Sequence, residues 1–297
     1  FKQKTAYEIG VRLVGSEMCI RDRSNTASDL GTFELSINQA ENTSDSTPIL
    51  ARHYLCSNYA VLQQLQQAWE FVQGYSHPHL GKVVEVRRMG DGELVVYTES
   101  LQQTVEEWVQ GIEGCPWSVD ATFQQIAGLI EVLAEAQRNK VLHRRISPKH
   151  IYYDQNSDLI KLLDFSPCSL SQEDDKRFVS DFPLRFKSPE RNTPQWICFL
   201  QNAAKADVYS LGMLALDLIY RGAAEGQTTA ELMSGLKEYQ QLYSLLEQML
   251  RVDSSKRPDF IRLQSYLKGE SEVSRAVSYT HLRAHETDSY LVCRLLL

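Results

Sequence analysis

Clustered cysteines are missing from this sequence. Six cysteines occur in 297 residues, and two of them, Cys19 and Cys293, stand near the ends. The other four, Cys56, Cys115, Cys168 and Cys198, are scattered without metal-ligand spacing. That pattern excludes a zinc-ribbon site and a disulfide framework, and it suits reduced thiols in a cytoplasmic protein. Positive charge is also in deficit, with 31 basic against 38 acidic residues. This argues against nucleic acid or an anionic membrane as the main partner. Between residues 24 and 276 there is no long apolar run and no signal-peptide pattern, so neither direct membrane insertion nor secretion is expected. No internal repeat is present.

The two ends read differently from the middle. Lys2 to Ile9 back-translates as AAG CAG AAG ACG GCA TAC GAG AT, and Leu291 to Leu297 as CTC GTA TGC CGT CTT CTG CTT. Both resemble the adapters of short-read sequencing libraries. Ile9-Gly10-Val11-Arg12 fits ATA GGA GTC CGT, whose reverse complement encodes Thr287-Asp288-Ser289-Tyr290, so the ends form an inverted repeat in register. Residues 1–23 and 277–297 are therefore expected to be translated adapter, and the apolar Leu291 to Leu297 is not read as a membrane anchor. These flanks hold seven basic and five acidic residues. Residues 24–276 keep 24 basic against 33 acidic, a net of −9, in a stretch long enough for one two-lobed domain.

Within 24–276 the first part predicts strands at Thr32 to Asn38, Pro48 to Leu55, Lys82 to Arg88 and Glu93 to Thr98. The last two are joined by the hairpin-like turn Met89-Gly90-Asp91-Gly92. A helix over Asn58 to Gln73 carries Val61, Leu62, Leu65, Trp69 and Val72 at helical spacing. The polar stretches Glu41 to Thr47 and Gln172 to Ser180 predict loops. From about residue 101 helices dominate, at Ser118 to Asn139 with Ser118 as cap, Lys205 to Tyr220, Thr228 to Lys237 and Gln240 to Arg251. A small sheet with one helix, followed by a larger helical region, is an α+β arrangement in two lobes.

Five motifs stand in order. His143-Arg144-Arg145-Ile146-Ser147-Pro148-Lys149-His150-Ile151 resembles the H-R-D-L-K-P-x-N-I loop, and Asp164-Phe165-Ser166 resembles D-F-G. Ser188-Pro189-Glu190 resembles A-P-E, Asp207-Val208-Tyr209-Ser210-Leu211-Gly212 resembles D-V-W-S-L-G, and Arg257-Pro258 closes the series. Together they resemble the protein-kinase superfamily. Leu50-Ala51-Arg52-His53 is similar to V-A-I-K, and Ser76-His77-Pro78-His79-Leu80 to the segment after the small-lobe helix. Thr98-Glu99 looks like the start of the interlobe hinge. The resemblance implies a two-lobed kinase-like fold, with a small lobe over about 29–100 and a large lobe over about 101–270.

It also implies a degenerate site. Phosphoryl transfer needs an acidic group aimed at the substrate hydroxyl, and that position holds Arg145, which cannot accept a proton. The positions of the lysine and asparagine that complete the loop hold Ser147 and His150, an oxygen donor too few for a hard cation. The strand lysine falls at His53, two residues after Ala51, although Arg52 could stand in. Its helix carboxylate partner falls at Ala68, although Glu70 could substitute. The glycine loop keeps only Gly31, and Glu34 places negative charge where phosphates would lie. Asp164 alone is retained, either as a magnesium ligand or as the partner of a nearby cation. The residues expected to survive are braces: His143 and Phe165 in a packed column, Asp207 under the His143-Arg144 turn, and Glu190 paired with Arg257.

The His-Arg-x-Ile-Ser-Pro form, Gly31-Thr32-Phe33, and Glu93 to Glu99 followed by a short acidic helix with Leu101, Val105 and Trp108 resemble the kinase-like domain of the TBC-domain-containing kinase-like family. That resemblance implies a pseudokinase that binds protein partners, Rab-pathway components among them, in endosomal trafficking and growth signalling. No cofactor is expected beyond weak ATP and magnesium. The alternatives are a nucleotide-binding switch, or an atypical phosphoryl or nucleotidyl transferase using Asp164.

Overall fold

The computed structural model describes residues 11–12, 34–42, 46–101, 103–111, 117–165, 182–193, 200–220 and 227–269. The fold is α+β in two lobes. The small lobe is an antiparallel sheet of β1 (Val11–Arg12), β2 (Glu34–Asn42), β3 (Pro48–Leu55), β4 (Val83–Arg88) and β5 (Glu93–Glu99), in the order β1-β2-β3-β5-β4. Helix α1 (Tyr59–Gly74) covers one face of it. Asn58 starts α1 by accepting the amide hydrogens of Ala60 and Val61, and Val61, Leu62, Leu65, Trp69 and Val72 make its buried stripe. Strands β3 and β5 alternate between the two faces of the sheet. Tyr54, Leu94 and Val96 join the main core under α1, while Ala40, Ile49, Ala51, Val95 and Tyr97 form a separate cluster.

The large lobe, over the described residues, comprises α2 (Val105–Gly111), α3 (Val119–Arg138), the hairpin β6 (Tyr152–Asp154) and β7 (Leu159–Lys161), α4 (Leu200–Tyr220), α5 (Thr229–Ser234), α6 (Gln240–Met249) and α7 (Phe260–Leu267). Helix α3 is capped by Ser118, as its spacing predicts, and packs against α4 and α7. Thr228 and Glu231 make a reciprocal capping box on α5. Two differences from the sequence expectations are instructive. Strand β2 runs on to Asn42, through the first residues of the expected loop at Glu41 to Thr47, because its ladder with β3 needs backbone groups and not apolar side chains. The β6–β7 hairpin was too short to show a period in the sequence. Gly31, Cys115, Cys168, Cys198 and the Gln172 to Ser180 loop lie outside the described residues, as do both expected adapter flanks except Val11–Arg12.

The lobes are joined along one edge by backbone. Gly81 N–H donates to the Leu162 carbonyl at 2.8 Å, and Leu162 N–H donates to the His79 carbonyl at 2.9 Å. His79, nearly buried, donates from Nδ1 to the Ile160 carbonyl at 2.8 Å. Its ring lies against Gly128 of α3, where a Cβ would sit 2.2 Å from His79 Cδ2. An alanine mid-helix is ordinarily worth about 1 kcal/mol over glycine, but here the ring is pinned by its hydrogen bond and has no room to retreat. Gly128→Ala is therefore expected to destabilise the protein by about 1–3 kcal/mol, read as a lower urea midpoint at unchanged m-value. A neutral or stabilising result would mean that His79 is not fixed at the lobe junction.

Candidate functional site

The cleft between the lobes is built around a buried cation. Strand alternation turns Arg52 toward the cleft, and its side chain has no exposed surface. Arg52 Nε donates to Asp164 Oδ1 at 2.7 Å, Nη1 to Thr98 Oγ1 at 3.0 Å and Nη2 to Tyr152 Oη at 3.3 Å. Tyr152 in turn donates to Asp164 Oδ2 at 2.7 Å. Each carboxylate oxygen of Asp164 thus holds a donor. Burial works to raise the Asp164 pKa, but the Arg52 charge and the hydrogen bonds from Arg52 and Tyr152 outweigh it and hold the carboxyl below its usual range. Burial also opposes the Arg52 charge, yet Asp164 beside it raises the guanidinium pKa further.

The alignment of Leu50-Ala51-Arg52-His53 with V-A-I-K is corrected by one residue. Ala51 is buried in the other face of the sheet, and His53 sits there half-exposed, 3.7 Å from Glu93. A one-residue shift reverses the face of a strand, so the side chain facing Asp164 is Arg52. Among the described residues no helix carboxylate meets it. Ala68 is buried, and Glu70 is exposed on the far side, accepting from Gln66. Trp69 occupies the interior instead, its ring 6.1 Å from Tyr54. Thr98 accepts from Arg52 and donates to the Glu99 carbonyl at 3.2 Å. The Glu99 side chain accepts from Lys82 N–H and from Lys161 Nζ, and Lys161 also meets Asp154 at 2.9 Å. Glu34 begins β2, and Gly31 lies outside the described residues.

The catalytic-loop positions form a second network. Arg145 Nη2 lies 2.6 Å from His150 Nε2, and Ser147 Oγ lies 2.8 Å from His150 Nδ1. A guanidinium only donates, so Nε2 accepts, and Nδ1 carries the proton and donates to Ser147. The His150 ring also stacks on Phe182 at 6.1 Å. Among the described residues no group of three or more His, Cys, Asp and Glu side chains could hold a metal ion. As placed, these residues do not fit a magnesium-bound nucleotide. A guanidinium already meets Asp164, and the imidazole of His150 is engaged on both nitrogens.

The braces sit beneath. Phe165 packs edge-on to His143 at 5.4 Å and to Phe71 of α1 at 6.2 Å, which makes the column between lobes. Asp207 accepts the Arg144 amide hydrogen at 2.8 Å, under a backbone that turns through φ 68° at Arg144. Glu190 meets Arg257 at 2.6 Å, and Arg257 also donates to the carbonyls of Arg251 and Lys205. Sequence reasoning missed Tyr152. Its only signal was a polar-tipped aromatic two residues past His150, which does not mark a site by itself.

Burial pushes the His143 pKa down to about 3 and the Asp207 pKa up to about 6. From pH 6.5 down to about 3, the unfolded chain holds a proton on His143 that the folded chain lacks, so His143 lowers stability as pH falls. Asp207 acts oppositely from about 6 down to its ordinary value, because the folded chain holds the extra proton. His143→Leu removes only the first effect. The stability of the variant relative to the parent is expected to rise by up to about 1.4 kcal/mol per pH unit on acidification below 6.5, measured by urea unfolding between pH 7 and 4. A pH-independent difference would mean that His143 is not held neutral.

The model of the family described as protein tyrosine and serine/threonine kinase matches residues 39–267. The chain is 27% identical over 156 residues to the tyrosine-protein kinase Fgr of Rattus norvegicus, covering 48% of this chain and 29% of that protein. It is 21% identical over 224 residues to the serine/threonine-protein kinase pkn2 of Myxococcus xanthus, covering 69% of this chain and 27% of that protein. The chain therefore spans less than a third of the length of these curated relatives. The matched residues run from β2 through α7, the span that carries both lobes, the cleft and the braces, and the chain belongs to the protein tyrosine and serine/threonine kinase family.

Proposed function

We propose that this domain is a catalytically inactive member of its family that works through protein–protein contact, as an interaction or regulatory scaffold. The observation that carries the reading is the Arg145–His150–Ser147 network. A permanent cation stands where a proton acceptor is needed, and it is bonded to the residue that replaces a metal-binding amide. The likeness of the loop and hinge residues to the TBC-domain-containing kinase-like family puts Rab-pathway proteins among the partners to test first, in a cytoplasmic setting. No helix in the described residues is long and apolar enough to cross a membrane.

The relatives are named as kinases, which makes turnover the reading to test against. A nucleotide-binding switch, or an atypical phosphoryl or nucleotidyl transferase, would have to work through Asp164, whose side chain keeps 28% of its surface exposed.

The test is a thermal-shift titration of the full chain with ATP, with and without magnesium, alongside a phosphate-release assay. A ligand at 100 times its dissociation constant adds roughly 2.7 kcal/mol of stability, so binding would be plain. The expected outcome is no magnesium-dependent shift at millimolar nucleotide and no turnover. A magnesium-dependent shift that disappears in Asp164→Ala would overturn the scaffold reading in favour of the switch, and turnover would favour the transferase.

A further inference from the structure

The Arg52 network joins four parts of the chain that only the fold brings together. Arg52 is on β3 and Thr98 on β5, both in the small lobe, while Tyr152 on β6 and Asp164 just after β7 belong to the large lobe. The backbone join at Gly81 and Leu162 fixes only one edge of the cleft. Glu99 and Lys161 tie the lobes at the hinge, and deeper in the cleft the guanidinium is a second direct polar tie. Its fork is rigid and planar, and its three nitrogens each meet a different oxygen, so it sets an orientation as well as a distance. Thr98 holds it from its own lobe, and Asp164 and Tyr152 hold it from the other. Asp164 sits at φ 52°, a left-handed backbone that a non-glycine residue keeps only where its surroundings over-determine it.

We propose that Arg52 is an internal clamp that closes the two lobes without a ligand, with its guanidinium serving at Asp164 as the cation that a metal-bound nucleotide would otherwise have to bring. The domain then presents one fixed interlobe arrangement to its partner, independent of nucleotide. This deepens the reading of the domain as non-catalytic and rests on it. The clamp also explains why the cleft tolerates a fully buried guanidinium. A buried charge held by a fixed carboxylate and two hydroxyls is satisfied, and the same charge with the carboxylate removed is not.

The experiment is amide hydrogen exchange on the full chain, followed in peptides covering 49–55 and 160–165, for the parent, Arg52→Met, Asp164→Asn and Tyr152→Phe. Arg52→Met keeps most of the volume and removes the charge. Tyr152→Phe removes one hydroxyl, and it is the variant to rely on if the charge variants fold poorly. The expected result is exchange faster by on the order of tenfold or more in both peptide groups for Arg52→Met and Asp164→Asn, and by a smaller factor for Tyr152→Phe. Millimolar ATP with magnesium should leave exchange in the parent unchanged. Unaltered exchange in peptides 160–165 of both Arg52→Met and Tyr152→Phe would overturn the clamp and leave the non-catalytic reading standing. Protection of the parent by magnesium nucleotide in the same peptides would overturn the substitution of Arg52 for the metal. Turnover in the parallel assay would overturn the non-catalytic reading on its own.

Discussion

A guanidinium cannot shed its proton at any pH the protein meets, so wherever one is buried its surroundings must answer it. Arg52 is buried completely, and much of the cleft follows from that. Asp164 has to stay ionised, and its pKa is lowered despite burial. Tyr152 has to donate to one atom and accept from another, which fixes its hydroxyl. Thr98 passes the chain of bonds to the hinge carbonyl of Glu99, and Glu99 passes charge on to Lys161 and Asp154. A single residue on β3 thereby couples the sheet, the hinge and the β6–β7 hairpin.

The braces obey a different logic. Asp207 and His143 are both buried, and their pKa values move in opposite directions for the same reason, because burial disfavours the charged form of each. Asp207 is partly repaid by backbone hydrogen bonds from the His143–Arg144 turn, and that turn needs such help because Arg144 holds a left-handed backbone. Glu190 and Arg257 make a pair whose guanidinium is fully buried and whose remaining donors reach backbone carbonyls. These contacts hold loops in place and ask nothing of a substrate.

The sequence made the architecture legible because periodicity and caps are local. The bounds of β3, the start of α1 at Asn58 and the cap of α3 at Ser118 all follow from a few adjacent residues. The pairing of Glu190 with Arg257 and the seat of Asp207 were legible through resemblance, since their motifs are intact. The phase of β3 was not. Matching letters put the cation's place at His53, whereas which face a strand residue takes is decided by its partners on β2 and β5 across the sheet. Tyr152 was invisible for a related reason. Its role depends on meeting Arg52 and Asp164, which lie 100 and 12 residues away along the chain.

The replacements in the catalytic loop argue most strongly when taken as a set. Arg145 alone would put an unanswered cation into a half-buried loop, and His150 alone would leave an imidazole nitrogen short of a donor. Together the arginine supplies that donor, the tautomer it imposes supplies the proton for Ser147, and Phe182 covers the ring. Unsatisfied polar groups at such depth cost about 1–3 kcal/mol each, so any one of these side chains without the others would leave the loop less stable. The same economy holds at Arg52 and Asp164, where a cation from the chain meets the carboxylate directly. In both networks the groups that chemistry would require to be open toward a substrate are instead bonded to each other. A site whose side chains are bonded to one another in this way has much of its geometry fixed before any partner arrives.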